Sequence, residues 1–194
     1  MSNIVKAKVS IVGTKPFLWH HFGPEAMPAD GKKERNGVAG NDPTEWKRTV
    51  LKSKDGVLYI EGSYIFGSLR GGAKHTKKGK GSIQSDVSAT LQIEDDIILT
   101  NRVMPDDITE DKTLPVYLDI RSVVNPSTKG RNVRYRVASS IGWRLSFSIL
   151  FDKTVVGVNQ MHAVCIDAGK LVGLGSGRAI GFGRFDVVSF DVTD

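Results

Sequence analysis

The sequence predicts an α+β protein with a ferredoxin-like sandwich of helices and strands and with long loop insertions. Three observations predict this class: two segments alternate apolar and polar residues, a third has apolar residues at helical spacing, and a further predicted strand closes the chain. Strand, helix, glycine-rich loop and strand in this order form half of a ferredoxin-like sandwich. The chain has 194 residues, the length of one domain, and we expect residues 1–194 to form a single domain.

The two alternating segments are predicted strands with one apolar face each. Residues 3–12 read NIVKAKVSIV and residues 142–151 read GWRLSFSILF, so that every second residue is apolar in both. If the two strands lie in one sheet, its second face carries Lys6, Lys8, Arg144 and small hydroxyl residues. Such a face suits phosphate or sugar contacts better than a second core.

The C-terminal third completes the predicted sandwich. Residues 158–173 have apolar residues at helical spacing, with Asn159 as the expected N-cap and Gly173 as the expected stop. The segment GRFDVVSFDV follows as the closing strand. This arrangement is typical of ferredoxin-like and RNA-recognition-motif-like sandwiches. Upstream, GVLYIEG predicts a further strand, and GSYIFGSLRGGA predicts the start of a helix behind it.

Two long segments resist regular assignment and are predicted insertions. Residues 13–45 hold four of the seven prolines, and a loop of this length inside a domain is usually functional or mobile. Residues 101–140 are mostly polar, and they predict a protruding β-hairpin with NPSTKG as its turn.

The charged residues are separated by sign along a chain of net charge +6. Residues 70–80 contain five basic residues and no acid, residues 129–136 contain Lys129, Arg131, Arg134 and Arg136, and the acids gather near residues 94–96 and 106–111. This separation favours a polyanionic partner, although two solvated lysine-rich loops would look the same.

Other features of the composition exclude several classes of protein. Cys165 is the only cysteine, which excludes an intramolecular disulfide and a cysteine-based zinc cluster, and its apolar surroundings predict a buried, unreactive thiol. No apolar run is long enough to span a bilayer, and the N-terminus lacks a signal-peptide pattern. We therefore expect a cytoplasmic protein without membrane contact, metal or cofactor.

The glycines near the C-terminus do not match a nucleotide-binding motif. Ile180 stands where the dinucleotide fingerprint requires its third glycine, and the loop follows a helix rather than a strand. The segment GGAKHTKKGKGS has Lys74 in place of the first P-loop glycine, and Gly81 follows Lys80 where Ser or Thr belongs.

What remains in residues 173–183 is G-φ-G-x5-G-φ-G, where φ is apolar and the central five residues include Arg178. This pattern resembles the glycine-rich loop of the RAMP superfamily, the RNA-binding proteins of CRISPR systems, which also lies between a helix and the last strand. A second segment, residues 60–76, is similar to the helix that opens against the guide RNA in backbone subunits; the matching positions are Gly62, Ser63, Ser68, Leu69, Arg70 and Gly71. Residues 121–137 occupy the place of the family's thumb hairpin.

The resemblance implies a non-catalytic backbone subunit that coats a CRISPR guide RNA. Its implied partners are the guide RNA, complementary target nucleic acid, other copies of itself and other CRISPR effector subunits. Some backbone subunits cleave target RNA with an aspartate after the first strand. Asp30 and Asp42 lie in that region, but PADGKKERNG lacks the expected glycine–histidine setting, so Asp30 is a weak catalytic candidate.

The residues themselves also predict RNA binding. Glycines allow main-chain amides to form an anion-binding concavity, arginine forks grip phosphates, and aromatic groups such as those in residues 19–22 stack on bases. The predicted RNA-binding residues are Gly62, Ser63, Ser68, Arg70, Gly71, Lys74, Lys77, Lys78, Lys80, Arg131, Arg134, Gly175, Ser176, Gly177, Arg178, Gly181 and Arg184.

Several alternatives remain open at the level of sequence. The glycines could serve only to pack a helix against a strand, and Trp19 and Phe22 could anchor the long loop to the core. An endoribonuclease of the same superfamily would need a general base such as His20 or His21 and no metal. A phage or plasmid protein that coats single-stranded nucleic acid would share the same composition.

Overall fold

The computed structural model describes residues 2–23, 42–124, 127 and 129–193. The strands are β1 (Ile4–Gly13), β2 (Phe17–Leu18), β3 (Val57–Glu61), β4 (Lys77–Lys78), β5 (Gly81–Ser82), β6 (Gln92–Ile93), β7 (Ile97–Val103), β8 (Val116–Val124), β9 (Arg131–Ser139), β10 (Arg144–Asp152) and β11 (Phe185–Thr193). The α-helices are α1 (Glu45–Thr49), α2 (Gly62–Gly72), α3 (Gln84–Thr90) and α4 (Val158–Asp167).

The main sheet has a ferredoxin-like arrangement, which confirms the predicted α+β class. Its strands lie in the order β11-β1-β10-β7-β3, and the short β6 also pairs with β10. The described pairings are antiparallel. Along the chain, β1, α2, β7, β10, α4 and β11 follow the strand–helix–strand–strand–helix–strand pattern of that fold, and β3 is added at one edge.

The alternation of apolar residues decides which face of the main sheet is buried. Val5, Ala7, Val9 and Ile11 on β1 pack with Leu145, Phe147, Ile149 and Phe151 on β10, and with Ile65, Leu69, Met161 and Val164 of α2 and α4. Both helices therefore cover the same face. As predicted, Lys6, Lys8 and Arg144 are exposed on the other face, where the Ser10 and Ser146 hydroxyls are 2.9 Å apart.

The predicted hairpin in residues 101–140 is present. Strands β8 and β9 pair from Val116↔Ser139 to Val124↔Arg131, and β9 also pairs with β2 to form a second, three-stranded sheet. This sheet joins the core through Val116 and Val137 at the base of the hairpin, where both side chains are buried. The hairpin therefore protrudes from a fixed base.

Three expectations for local structure need correction. The N-cap of α4 is Gly157 rather than Asn159, because Gly157 keeps extended backbone and its amide donates to the Gln160 side chain. Residues 13–45 contain the strand β2 and reach the start of α1, so this segment is not wholly irregular. Trp19 is buried, and its indole donates to the Tyr59 carbonyl at 2.8 Å, so it anchors the segment and is not available for stacking on a base.

The end of α4 leads into the glycine-rich loop through a short π-helical turn. The helix continues as a π-helical turn over Ala168–Val172, and Gly173 ends it with a φ of +83°. Gly173 therefore ends the helical segment, as the sequence predicted. Of the helices in the described ranges, none is long and apolar enough to cross a membrane.

Candidate functional site

The glycine-rich loop connects the π-helical turn to β11, and five of its glycines have left-handed backbone. Their φ values lie between +69° and +94°, a region in which side chains with a Cβ atom are strained; they are Gly173, Gly175, Gly177, Gly181 and Gly183. The predicted demand for an unusual backbone is therefore confirmed.

These glycines serve two different purposes. A Cβ on Gly175 would lie 2.6 Å from the Leu18 carbonyl oxygen, and one on Gly183 would collide with the carbonyl of Leu174, so both positions permit close backbone packing. A Cβ on Gly181 would meet nothing within 4 Å. The base of the loop is therefore packed tightly against itself and β2, whereas its tip is open.

The glycine-rich loop holds main-chain amides, at Gly175 and at its tip, that no other group in the described chain uses. The amides of Leu174, Ser176 and Gly183 donate to carbonyls within the fold. By contrast, the amides of Gly175, Gly177, Arg178 and Ala179 donate to no acceptor within residues 2–23, 42–124, 127 and 129–193. Because Gly177 is left-handed and Arg178 begins a right-handed turn, the last three of these amides form the type of concavity that binds anions.

Helix α2 lies beside the loop, and its first half forms a shallow cavity with the loop tip. This cavity has a volume of about 200 Å³ and is lined by Ser63, Tyr64, Gly67, Gly175 and Arg178. The side chains of Ser63 and Arg178 are exposed. Two segments that are more than 100 residues apart in sequence therefore form one surface with a cation and hydroxyl groups.

Other positions of the predicted α2 motif have a structural place. The buried Ser68 hydroxyl donates to the Gly173 carbonyl at 2.9 Å and so fixes the start of the loop. A Cβ on Gly62 would lie 2.5 Å from the Asp95 carbonyl oxygen, and one on Gly71 would lie 2.9 Å from Val172. Ser68 and Gly71 thus pack α2 against the start of the glycine-rich loop, whereas Gly62 packs against the connection between β6 and β7.

The hairpin contacts the opposite side of the loop through two arginines. Arg136 Nη1 donates to Ser176 Oγ at 2.9 Å, and the Arg121 guanidinium lies 4.4 Å from the centre of the Phe182 ring. Arg121 is itself held by Asp119, with hydrogen bonds of 2.6 and 2.5 Å. The loop is therefore held between α2 and the hairpin.

Sequence reasoning did not select Arg121 and Asp119, and it placed Arg136 only in a basic cluster. A signal was present, because Asp119 and Arg121 on β8 pair in register with Arg136 and Arg134 on β9. Residues at a spacing of two on paired strands share a face. In residues 119–121 (DIR) and 134–136 (RYR), charged residues therefore occupy every second position, which indicates a charged face at the base of the hairpin.

Arg134 is engaged in an internal ion pair. Its Nη1 lies 2.5 Å from Glu45 Oε1, and the same carboxylate receives His20 Nε2 at 3.2 Å and the Tyr135 amide at 3.3 Å. Burial alone would raise the pKa of Glu45, but the His20 hydrogen bond and the Arg134 charge hold it below its usual value. Arg134 therefore fixes α1 to the hairpin, while Arg131 is exposed.

His20 and His21 each have an acidic neighbour, which the sequence did not reveal. His20 meets Glu45, whereas His21 Nδ1 lies 3.5 Å from the Tyr64 hydroxyl and its Nε2 lies 3.9 Å from Glu61. No group of three potential metal ligands occurs among the residues that the structure describes. Asp30, the other catalytic candidate, lies outside the described residues.

The basic segment 70–80 lies at the other end of α2. Arg70 is on the last turn, and the chain then forms the β4–β5 hairpin, in which Lys78 pairs with Asp86 at 2.5 Å while Lys77 and Lys80 are exposed. Arg184 lies where β11 begins; its Nη1 is buried and has no hydrogen-bond partner in the described part of the chain. Of the predicted cations, Arg178 is thus the one that lines the cavity at the loop tip.

Comparison with known proteins supports the fold. No family model matches the sequence, and no curated protein matches it. Among solved structures, the chain is similar to a chain from the cryo-EM structure of the type III-B Cmr-beta bound to cognate target RNA, with 14% sequence identity and a TM-score of 0.52. The match covers 98% of this chain and 61% of that chain, so this chain spans about three fifths of the length of its structural neighbour.

Proposed function

We propose that the chain is an RNA-binding subunit of a CRISPR effector complex and contacts guide RNA through its glycine-rich loop. One observation carries the proposal: the loop tip presents unused amides and the exposed Arg178 beside the first half of α2. Phosphates accept hydrogen bonds from amides and from planar guanidinium groups, and the hydroxyls of Ser63 and Tyr64 can meet ribose 2′-hydroxyls. The likeness to a chain of the Cmr-beta structure supports the same assignment at the level of the fold.

The proposed path of the RNA follows the surface between α2 and the hairpin. Ser63, Gly175 and Arg178 line the cavity on this proposed path, Gly177 and Gly181 belong to the same loop, and Ser68, Arg136 and Ser176 hold the loop in place. The exposed Arg131 lies on the protruding part of the hairpin, where a bound guide–target duplex would pass. The proposed partners are guide RNA, complementary target nucleic acid, further copies of this chain and other effector subunits.

Arg178→Ala tests the proposal. Because Arg178 is exposed, its removal should leave the melting temperature unchanged, while affinity for single-stranded RNA at low salt should fall about tenfold, as for one lost phosphate contact of 1–2 kcal/mol. The slope of log K against log salt should decrease by about 0.7. Fluorescence anisotropy over a salt series measures both quantities.

Arg144→Ala is the matched control, because Arg144 is an exposed arginine on the open face of the main sheet. We expect its RNA affinity to equal that of the wild type. If Arg144→Ala weakens binding and Arg178→Ala does not, the RNA lies on the sheet face and the proposed site is wrong. If the wild-type chain binds no RNA at low salt, the proposed function itself is wrong.

A second candidate function rests on His21. Its contact with Tyr64 places an imidazole next to the cavity at the loop tip, with Glu61 on its other side. A general base at this position could activate a 2′-hydroxyl for attack on the adjacent phosphate without a metal. Incubation of a CRISPR repeat RNA with wild type and His21→Ala separates the two functions, because cleavage that disappears in the variant would make the chain an endoribonuclease.

A further inference from the structure

Arg121 and Phe182 form a stack of two flat groups beside the glycine-rich loop. The guanidinium carbon of Arg121 lies over the Phe182 ring, 4.4 Å from its centre. The ring packs in turn against a buried cluster that consists of Leu18, Tyr117 and Ala138. The stack therefore rests on the interior of the protein, while the Arg121 side chain remains 28% exposed. The bases of a single strand stack on flat groups of this kind, and a guanidinium plane serves this purpose as an aromatic ring does.

The Asp119 carboxylate holds this guanidinium in one orientation. Arg121 Nε and Nη2 donate to its two oxygens at 2.6 and 2.5 Å, which is the bidentate geometry that fits a planar fork to a carboxylate. The Asp119 side chain is only 1% exposed, and it lies two residues before Arg121 on β8. Because the Arg121 side chain is already fixed, little conformational entropy remains to be lost when a ligand packs on it.

The same hydrogen bonds make Arg121 a poor ligand for a phosphate. An arginine grips a phosphate through paired N–H groups, and the pair formed by Nε and Nη2 is occupied by Asp119. The carboxylate also repels an approaching phosphate, because both groups are negatively charged. Stacking makes no use of the in-plane donors, so it remains open to this guanidinium. Arg121 therefore differs from Arg178, which is exposed and lines the cavity at the loop tip.

The Phe182 ring connects this stack to the proposed phosphate site. A Cβ on Gly177 would lie 3.2 Å from the ring, and the Gly177 amide is the first of the three that form the concavity at the loop tip. The concavity and Arg121 thus adjoin the same aromatic ring. Adjacent parts of one nucleic-acid strand can therefore place a phosphate at the amides and a base on Arg121.

We propose that Arg121 is a platform on which one base of the bound RNA strand stacks, on the side of the guanidinium that faces away from Phe182. Trp19, one of the aromatic groups that the sequence suggested for this purpose, is buried. Every base has a flat face, so the contact accepts any base and reads no sequence. The platform deepens the proposed function and depends on it, because the strand that stacks there is the RNA bound at the glycine-rich loop.

Removal of the bases from the RNA tests the platform. Two strands of equal length are compared, one with ordinary bases and one of abasic ribose phosphates, which keeps the phosphates and the 2′-hydroxyls. Arg121→Lys keeps the positive charge next to Asp119 but has no flat face. We expect this variant to bind the intact strand about tenfold more weakly than the wild type, as for one lost stacking contact, and to bind the abasic strand equally well. Fluorescence anisotropy at low salt measures both affinities, and the slope of log K against log salt should not change.

Arg144→Lys is the matched control, because Arg144 is an exposed arginine on the open face of the main sheet, and it should bind both strands as the wild type does. A distorted hairpin would weaken the binding of both strands to the same extent. An equal loss on the two strands in Arg121→Lys therefore overturns the platform, as does an unchanged affinity for the intact strand. In either case the wild type still binds RNA, so the proposed function stands. If the wild type binds neither strand at low salt, the proposed function itself fails, and the platform fails with it.

Discussion

Arg136 Nη1 donates a 2.9 Å hydrogen bond to Ser176 Oγ, and this bond joins β9 to the glycine-rich loop across 40 residues of sequence. Arg136 is only 5% exposed, and its burial lowers the pKa of the guanidinium although the Asp119 charge acts in the opposite direction. Asp119 Oδ2 lies 3.9 Å from its Nη2. The hairpin and the loop are therefore linked by a buried cation that has few other partners.

Removal of the Ser176 hydroxyl should weaken this link. We expect Ser176→Ala to lower the free energy of unfolding by about 1–3 kcal/mol, because a buried charged donor loses its hydrogen-bond acceptor. RNA affinity should fall as well, since the loop is then less well held. Urea denaturation and fluorescence anisotropy measure the two effects, with Ser85→Ala on the exposed surface of α3 as the control. Unchanged stability would show that a water molecule replaces the hydroxyl.

Substitution by alanine should lower the free energy of unfolding by different amounts at two glycines of the same loop. Gly183→Ala places a Cβ against the Leu174 carbonyl and should cost at least about 4 kcal/mol or prevent folding. Gly181→Ala meets open space and should cost about 1–2 kcal/mol, which is the strain of a left-handed backbone at φ +94°. Chemical denaturation of the soluble variants measures which of the two substitutions lowers the free energy of unfolding more. Equal losses at the two sites would contradict the close packing at the base of the loop.

The Glu45 ion pair predicts a loss of stability in acid. The pKa of Glu45 is held below its usual 4.5 in the folded protein, because the His20 hydrogen bond and the Arg134 charge outweigh the effect of burial. The ionised carboxylate therefore stabilises the fold above about pH 4.5, and this contribution is lost as the pH falls through the lowered pKa. Glu45→Gln should cost about 1.5–3 kcal/mol at pH 7 and progressively less below pH 4. Thermal melts at several pH values check this, and a pH-independent difference would contradict it.

Cys165 should be unreactive in the folded protein. It is fully buried among the residues of α4 and the sheet, and burial raises the pKa of its thiol to about 12. Because the thiolate is the reactive form, a thiol reagent at pH 8 should modify it only after unfolding in guanidinium chloride. The rate of modification, measured by mass spectrometry, tests this. Rapid modification under native conditions would show that α4 opens readily.

The sequence alone determined the secondary-structure pattern and the need for glycine in the loop. Period-two alternation fixed the buried faces of β1 and β10, because neighbouring side chains of a strand point to opposite faces. The glycine spacing predicted a backbone that other residues avoid, and the left-handed φ values agree. These features depend on the conformation of neighbouring residues, so that the order of residue types along the chain is enough to predict them.

The tertiary structure alone decided which residues of the predicted site meet. Ser68 and Gly71 match the motif, but packing against the loop buries Ser68, and Arg134 pairs with a glutamate 89 residues away. The links from Arg136 to Ser176 and from Arg121 to Phe182 join segments whose spacing in the sequence carries no signal. Such contacts arise from the way the hairpin folds back on the loop, and an ion pair or hydrogen bond forms wherever that packing brings two groups together.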